Sequence, residues 1–346
     1  MTSKERVRRA IMRKAPDRLP ANFEAVGRVT ESLLKRYGYG DAEQLLNRLE
    51  IDVRGIGAKY IGPPLKHWEE NGAKFSQSYW GWVDKAVWTG REYNSVTSHF
   101  PLDAMSSVDE VLAYSWPSAD WFDYESVKEQ CRRHRDKALI FGHEGPFQIS
   151  TFLRSMEKLF VDMLDEPEFA RAIFNKMNEF EMELYERILI AGDGQIDILR
   201  PHDDYGTQIS LLFSVDTWRE FFEENTKKLT ALAHKYGAFY QQHSCGAVRP
   251  LLPEFIRCGV DVLEPVQKVA GLDPAEIKRE FGGSLAFHGG IDTQGVLPFG
   301  TAAEVRAETQ RVAGILGDGG GYILMASQSF EGDVPLENIE ALYSVR

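Results

Sequence analysis

The 346-residue chain has only three cysteines, Cys131, Cys245 and Cys258. An odd and scattered set supports no disulfide framework, so a reducing, cytoplasmic setting is expected. Basic charge is also short: 40 Lys and Arg stand against 52 Asp and Glu, giving a net charge of -12. That surplus repels a phosphate backbone and an anionic bilayer alike, so neither nucleic acid nor membrane is an expected partner. No stretch approaches the roughly 18 apolar residues of a membrane span. The basic opening MTSKERVRRAIMRKAPDRLP lacks an apolar leader region and contains Glu5 and Asp17, which predicts an amphipathic helix, not a targeting peptide. Internal repeats, low-complexity stretches and dividing linkers are also missing, so a single domain over 1–346 is expected.

What the chain does have is alternation. Strand-like runs at 19–25, 51–57, 138–144, 196–202, 237–243, 260–266, 284–290 and 321–327 are separated by helical stretches. This is the pattern of a parallel sheet with crossover helices, and eight runs predict a (β/α)8 TIM-type barrel. Asp216 is the expected cap of the helix TWREFFEENTKKLTALAHKY, which stops at Gly237. Met156, Phe160, Met163, Phe169, Ile173, Met177 and Phe180 recur at helical spacing and predict core-facing helix surfaces. The region from about 60 to 130 breaks the alternation. Its GAKFSQSYWGWVDKAVWTGREYN segment sets Phe75, Tyr79, Trp80, Trp82, Trp88 and Tyr93 near period two, which predicts an aromatic-rich hairpin inserted after the second strand. Over the C-terminal mouth of a barrel such an insertion would bring Trp80 to the substrate; an aromatic satellite core is the alternative.

Barrel enzymes carry their reacting groups at the C-terminal ends of strands. The runs end on Glu24, Arg54, His143 with Glu144, His202-Asp203-Asp204, His243 with Cys245, Glu264 with Gln267, His288 with Asp292, and Gln328. His243 and Cys245 are two apart on an extended strand and so point to one side, where imidazole and thiolate can grip a soft divalent ion such as zinc. A hydrogen-bonded histidine beside a buried thiol is the alternative. A catalytic zinc needs a third protein ligand, and Glu264, Asp204, His288 and Gln328 all qualify. Cys258 precedes a strand and reads as structural, and Cys131 as a surface or helix residue. GDGGGY (317–322) leads into a strand, and GIGAKY (55–60) lacks the last glycine of a dinucleotide fingerprint, so neither predicts a nucleotide site.

The succession DDYGTQ (203–208), HSCGAV (243–248), LEPVQ (263–267), FHGGIDTQGVLPFGT (287–301), GGGYIL (319–324) and DVPLENI (333–339) resembles the uroporphyrinogen decarboxylase superfamily. PDRLP (16–20) and WGWVDKAVW (80–88) resemble its methyltransferase-like branches. The resemblance implies the same barrel. The arginine-rich loop that holds porphyrinogen carboxylates in true decarboxylases corresponds here to ANFEAVGRVTESL, which leaves Arg28 alone and adds the repelling Glu24. In the corrinoid-linked methyltransferase branch, zinc is held through H-x-C and a distant cysteine. His243 and Cys245 match the first part, whereas Gln328 stands about where the distant ligand falls. The O-demethylase-like members imply carboxylate-containing ligand sets, which Glu264 and Asp204 can supply.

The expected function is therefore transfer of a methyl group from a small methylated substrate, such as a methoxylated aromatic, to a corrinoid on a partner protein. His243, Cys245 and Glu264 would hold zinc. Asp204, His202, His288 and His143 would move protons or position substrate, with Glu24, Arg54, Trp80 and Gln267 binding it; a homodimer is compatible with this. The alternative is a metal-free decarboxylase or lyase acting on a smaller carboxylated compound, with Asp204 or His143 as proton donor and Arg54 on the carboxylate. A third option is a barrel that has lost its chemistry and serves as a binding partner.

Overall fold

The computed structural model describes residues 1–90 and 93–345. Chain contacts form two compact units: Met1–Ile56 with Gln130–Gly142 and Gly192–Arg346, and Gly57–Glu129 with His143–Ala191. Arg91 and Glu92, in the expected hairpin, lie outside the described residues.

The first unit is built on a curled seven-stranded sheet: β1 (Val53–Gly55), β2 (Ala138–Glu144), β3 (Ile196–His202), β4 (Phe239–His243), β5 (Val262–Glu264), β6 (Ala286–His288) and β7 (Tyr322–Ile323). The strands lie in sequence order, β1 pairing in parallel with β2, and β3 through β7 each in parallel with the next. This is an α/β arrangement of TIM type. The 284–290 run stops at His288 because Gly289 and Gly290 take φ of +81° and +122°, a region open to glycine and closed to an extended ladder. The 19–25 run makes only isolated bridges, Ala21 to Leu324 and Ala25 to Phe330. Pro20 has no N–H to give a ladder there; its carbonyl accepts from Leu324 N at 2.8 Å, while Asp52 N donates to Ala21 O at 2.9 Å.

The opening segment forms the expected amphipathic helix, Ser3–Ile11, started by a capping box between Thr2 and Glu5. Its apolar side sends Val7 and Ile11 into a core cluster with Val53, Ile140, Ile198, Val262 and Ile323 of the strands. Its polar side closes the N-terminal end of the sheet: Arg6 reaches Asp52 at 2.7 Å, and Lys4 and Arg8 reach Asp197 at 2.8 and 3.0 Å.

Local expectations for the helix after β3 are corrected. The helix after β3 is capped by Ser214, whose Oγ accepts from Thr217 N at 3.0 Å, not by Asp216, which sits inside the first turn and pairs with Arg219. The helix also breaks at Phe222 and resumes as Glu223–Lys235. Cys131 does lie on a helix, Glu125–Arg133, but it is buried.

The second unit carries a four-stranded antiparallel sheet, His67–Glu70, Ala73–Gln77, Val83–Trp88 and Tyr93–His99, and the helices Met156–Asp165 and Pro167–Gly192. Met163, Phe169, Ile173, Met177 and Phe180 are buried as their spacing predicts, whereas Met156 is exposed and Phe160 is half-buried. No helix among the described residues is long and apolar enough to cross a membrane.

Candidate metal and substrate site

The loops that follow β3 and β4 lock together, and this explains why DDYG and HSCG occur as a pair. Cys245 N donates to Asp204 Oδ1 at 2.8 Å, Tyr205 N to Ser244 Oγ at 2.9 Å, and Ala247 N to Thr207 O at 2.8 Å. Gly206 and Gly246 meet back to back: a Cβ on Gly246, whose φ is +88°, would lie 2.4 Å from the Gly206 carbonyl carbon. Only paired glycines permit that approach. Gln267 completes the lock by accepting from Gly246 N at 2.6 Å. The expected substrate contact Gln267 is thus a buried fastener of the HSCG loop.

This lock sets three donor atoms of different chemistry around one point. His243 Nε2 lies 3.5 Å from Cys245 Sγ and 3.5 Å from Asp204 Oδ1, and the ligand atoms of all three lie within 4.8 Å of one another. Tetrahedral zinc with bonds of roughly 2.0–2.3 Å separates its ligands by about 3.3–3.6 Å. The His243 edges therefore fit zinc without rearrangement. Gln328 donates its amide N–H to Cys245 Sγ, and burial pushes that thiol above its ordinary range against the pull of His243.

Glu264 lies at the other nitrogen of the same ring. Its Oε2 is 3.2 Å from His243 Nδ1, an ion-pair distance without hydrogen-bond alignment. The carboxylate also accepts from Gln241 Nε2 at 2.9 Å and pairs with Arg200, which in turn contacts Glu24. Acceptors face both nitrogens, Glu264 at Nδ1 and Asp204 at Nε2, so the metal-free imidazole carries both protons, and a metal bound at Nε2 would take the place of the proton there. Burial alone would depress His243; the Glu264 carboxylate, with Asp204 and Cys245, outweighs it and holds the imidazole well above its ordinary range. Burial alone would likewise raise Glu264, but Arg200 and His243 hold it well below the carboxylate range.

Two other imidazoles shift the opposite way. Burial, with the nearby Arg200 and His243 charges, drives His202 down to about 3; its ring lies 4.7 Å from that of His243. Burial takes His288 down to about 4 against the pull of Glu264. Glu264 accepts from the Gln241 amide, which turns Gln241 Oε1 toward His288 Nδ1 at 3.1 Å. Nδ1 is then the donor, and His288 Nε2 has no partner among the described residues.

The remaining expected site residues have other surroundings. The Arg54 guanidinium is bidentate on Glu43 at 2.8 Å and also donates to Ile51 O and Val53 O at 2.9 Å, so it offers no free fork to a carboxylate. His143 and Trp80 belong to the second unit. His143 Nδ1 donates to Glu144 O at 2.8 Å, which leaves Nε2 to accept from Tyr79 O–H at 2.6 Å. Trp80 is 2% exposed and packs edge-on against Phe180, ring centroids 4.8 Å apart, so it is part of an aromatic core and not a lid surface.

Sequence reasoning passed over Arg200 and Gln241. The signal was there: Arg200, His202 and Asp204, and likewise Gln241, His243 and Cys245, are polar at i, i+2 and i+4. Register aligns His202 and Glu264 with His243 on its two sides.

A parallel TIM-type sheet with titratable groups gathered at its C-terminal strand ends marks an enzyme of barrel type. The uroporphyrinogen decarboxylase (URO-D) family profile matches residues 105–346, and the chain belongs to this family. Among solved structures it is similar to a methyltransferase from Methanosarcina mazei, at TM-score 0.67 and 18% identity, over 99% of this chain and 98% of that one. A type I 3-dehydroquinate dehydratase from Clostridium difficile aligns over 64% of this chain and 72% of its own, at 11% identity and TM-score 0.34. The first likeness establishes fold; the second is too slight to use. No curated protein matches the chain by sequence.

Proposed function

We propose that this protein is a methyltransferase that demethylates a small methylated substrate, a methoxylated aromatic, and delivers the methyl group to a corrinoid on a separate protein. The observation that carries this is the triad of His243 Nε2, Cys245 Sγ and an Asp204 oxygen, spaced for one tetrahedral ion. Zinc held there would supply Lewis-acid assistance to the departing heteroatom. Asp204 is the third ligand in this proposal, because Glu264 is held at the far nitrogen of His243 by Arg200 and Gln241.

The chain's own residues then have separable tasks. Glu264 keeps the His243 proton on Nδ1, and the Gln328 amide stabilises negative charge on sulfur. As the methyl–oxygen bond breaks, the bonding pair stays on the substrate oxygen, and the neutral His202 beside His243 is placed to position that substrate. A closed ring of eight is supported by segment 19–25, which bonds to Asp52 just before β1 and to Leu324 just after β7. A metal-free decarboxylase has less support, since its expected carboxylate receptor Arg54 is already bound by Glu43.

The test is zinc content of the purified protein together with methyl transfer from 2-methoxyphenol to a reduced corrinoid, followed by absorbance. Stoichiometric zinc and transfer that both fail in Cys245→Ala are expected. Full turnover by metal-free protein would overturn the proposal.

A further inference from the structure

The two edges of the antiparallel sheet in the second unit differ in what they offer a neighbour. The strands lie in sequence order, so His67–Glu70 forms one edge and Tyr93–His99 the other. The His67–Glu70 edge is short and carries Glu69 and Glu70, and charge of this kind keeps a sheet edge from pairing with another chain. The Tyr93–His99 edge has no such guard. Residues 93–98 are Tyr, Asn, Ser, Val, Thr and Ser, without charge or proline, and Tyr, Val and Thr favour strands. Tyr93 is 68% exposed and Val96 53%. Among the described residues only Val83–Trp88 pairs with this strand. Its outward N–H and C=O groups are therefore an open template for a further strand.

We propose that this edge is a dimer interface, at which the Tyr93–His99 strands of two copies of the chain pair antiparallel across a two-fold axis. The ladder with Val83–Trp88 is regular from Tyr93 to Thr97 and slips at Ser98, since Thr97 faces Asp84 while His99 faces Val83. Ser95 is the centre of the regular stretch. A two-fold through Ser95 sets it against Ser95 of the second copy, Asn94 against Val96, and Tyr93 against Thr97. An axis through a residue also keeps outward-bonding positions opposite one another, because these alternate along a strand. Every residue of the stretch then meets an uncharged one, and Tyr93 with Thr97 is an aromatic and β-branched pair of the sort that stabilises adjacent strands. Trp88, opposite Tyr93 on the same face and 55% exposed, adds apolar area beside it, with ring centroids 5.1 Å apart. Charge selects a second copy as the occupant. At a net charge of -12 two copies repel over most of their surface, and an uncharged edge is where they can meet.

A contact built on five residues a side predicts a weak dimer that dissociates in the micromolar range. Sedimentation of the full-length protein from about 1 to 100 µM should show monomer giving way to dimer. Ser95→Lys changes an exposed position and brings two like charges together only in the dimer, so the dissociation constant should rise about tenfold or more. Ser95→Cys should form a covalent dimer on oxidation, because directly opposed strand residues lie within disulfide reach. Glu69→Cys, on the guarded edge, should cross-link no more than the wild type. If Ser95→Lys does not fold by circular dichroism, the two cysteine variants decide alone. A wild type that is monomeric throughout, an unchanged dissociation constant in folded Ser95→Lys, or equal cross-linking at the two edges each overturns the interface.

Discussion

The two ends of the parallel sheet handle buried polar groups in opposite ways. At the N-terminal end Asp52 and Asp197 are fully buried and fully answered. Asp52 takes Arg6, Arg18 and the Ala21 N–H, and Asp197 takes Lys4, Arg8 and the Leu139 N–H. At the C-terminal end Arg200 Nε, His202 Nε2 and His288 Nε2 are buried with no hydrogen-bond partner among the described residues. Each such orphan costs roughly 1–3 kcal/mol. A fold that satisfies these acids at one end has the means to satisfy nitrogens at the other, so the orphans are candidate places for ligand atoms. The contrast separates stability from chemistry within one sheet, as barrel architecture leads one to expect.

The largest effect should come from removing sulfur. Cys245→Ala is expected to lose bound zinc and at least ~10²-fold in methyl transfer, with the urea unfolding midpoint nearly unchanged. A variant that loses stability as severely as activity would erase the distinction between the two ends. The mirror experiment is Asp52→Ala, which leaves Arg6 and Arg18 facing each other. A loss of about 3 kcal/mol in unfolding free energy is expected, at the low end for a broken buried pair because Arg6 keeps Asp17 and Arg18 is partly exposed. Its folded fraction should still bind zinc with wild-type affinity. Smaller again is Glu264→Gln, which removes the charge behind His243 without removing a proposed ligand. Zinc affinity should fall ~10- to 100-fold by competition with a chelating dye, whereas abolition of binding would show that Glu264 is itself a ligand.

How far the sequence exposes this arrangement depends on the range of the forces involved. Strands 138–144 and 196–202 are present as their apolar patterns predict, because burial within a parallel sheet is a local property of the run. The pairing of His243 with Cys245 is legible for the same reason, since period two fixes it within one strand. The proposed choice of Asp204 over Glu264 is not legible in sequence, because the position of Asp204 is set by another loop, through Cys245 N and the contact of Gly206 with Gly246. Arg54 was misleading in the same way: it ends a strand as a substrate arginine would, yet Glu43, eleven positions earlier, takes its guanidinium. The cap went to Ser214 and not Asp216 because the helix begins one residue later than the first capping residue available in sequence, with no pattern to mark which one. Trp80 looked like a lid because period two says which residues share a face and nothing about what covers it.

The finest distinction between the two ends is their response to acid. Asp17 belongs to the N-terminal cluster, where the Arg6 guanidinium, aided by the chain's amino terminus, holds its carboxyl well below the ordinary value of 3.8. A depressed folded-state value means that, near and below pH 4, the unfolded chain binds the proton more readily than the folded one. The stabilisation is therefore complete above about pH 5 and lost as pH falls through 3.8 toward the folded-state value. Because Asp17 is largely exposed, solvent screening keeps the effect small. Urea midpoints measured from about pH 6 to 2.5 should fall less steeply for Asp17→Asn than for the wild type, with the difference confined to the acid limb. Parallel curves would mean that the Arg6–Asp17 contact contributes nothing to folding. The N-terminal end would then owe its stability to Asp52 and Asp197, each of which is also paired with the opening helix.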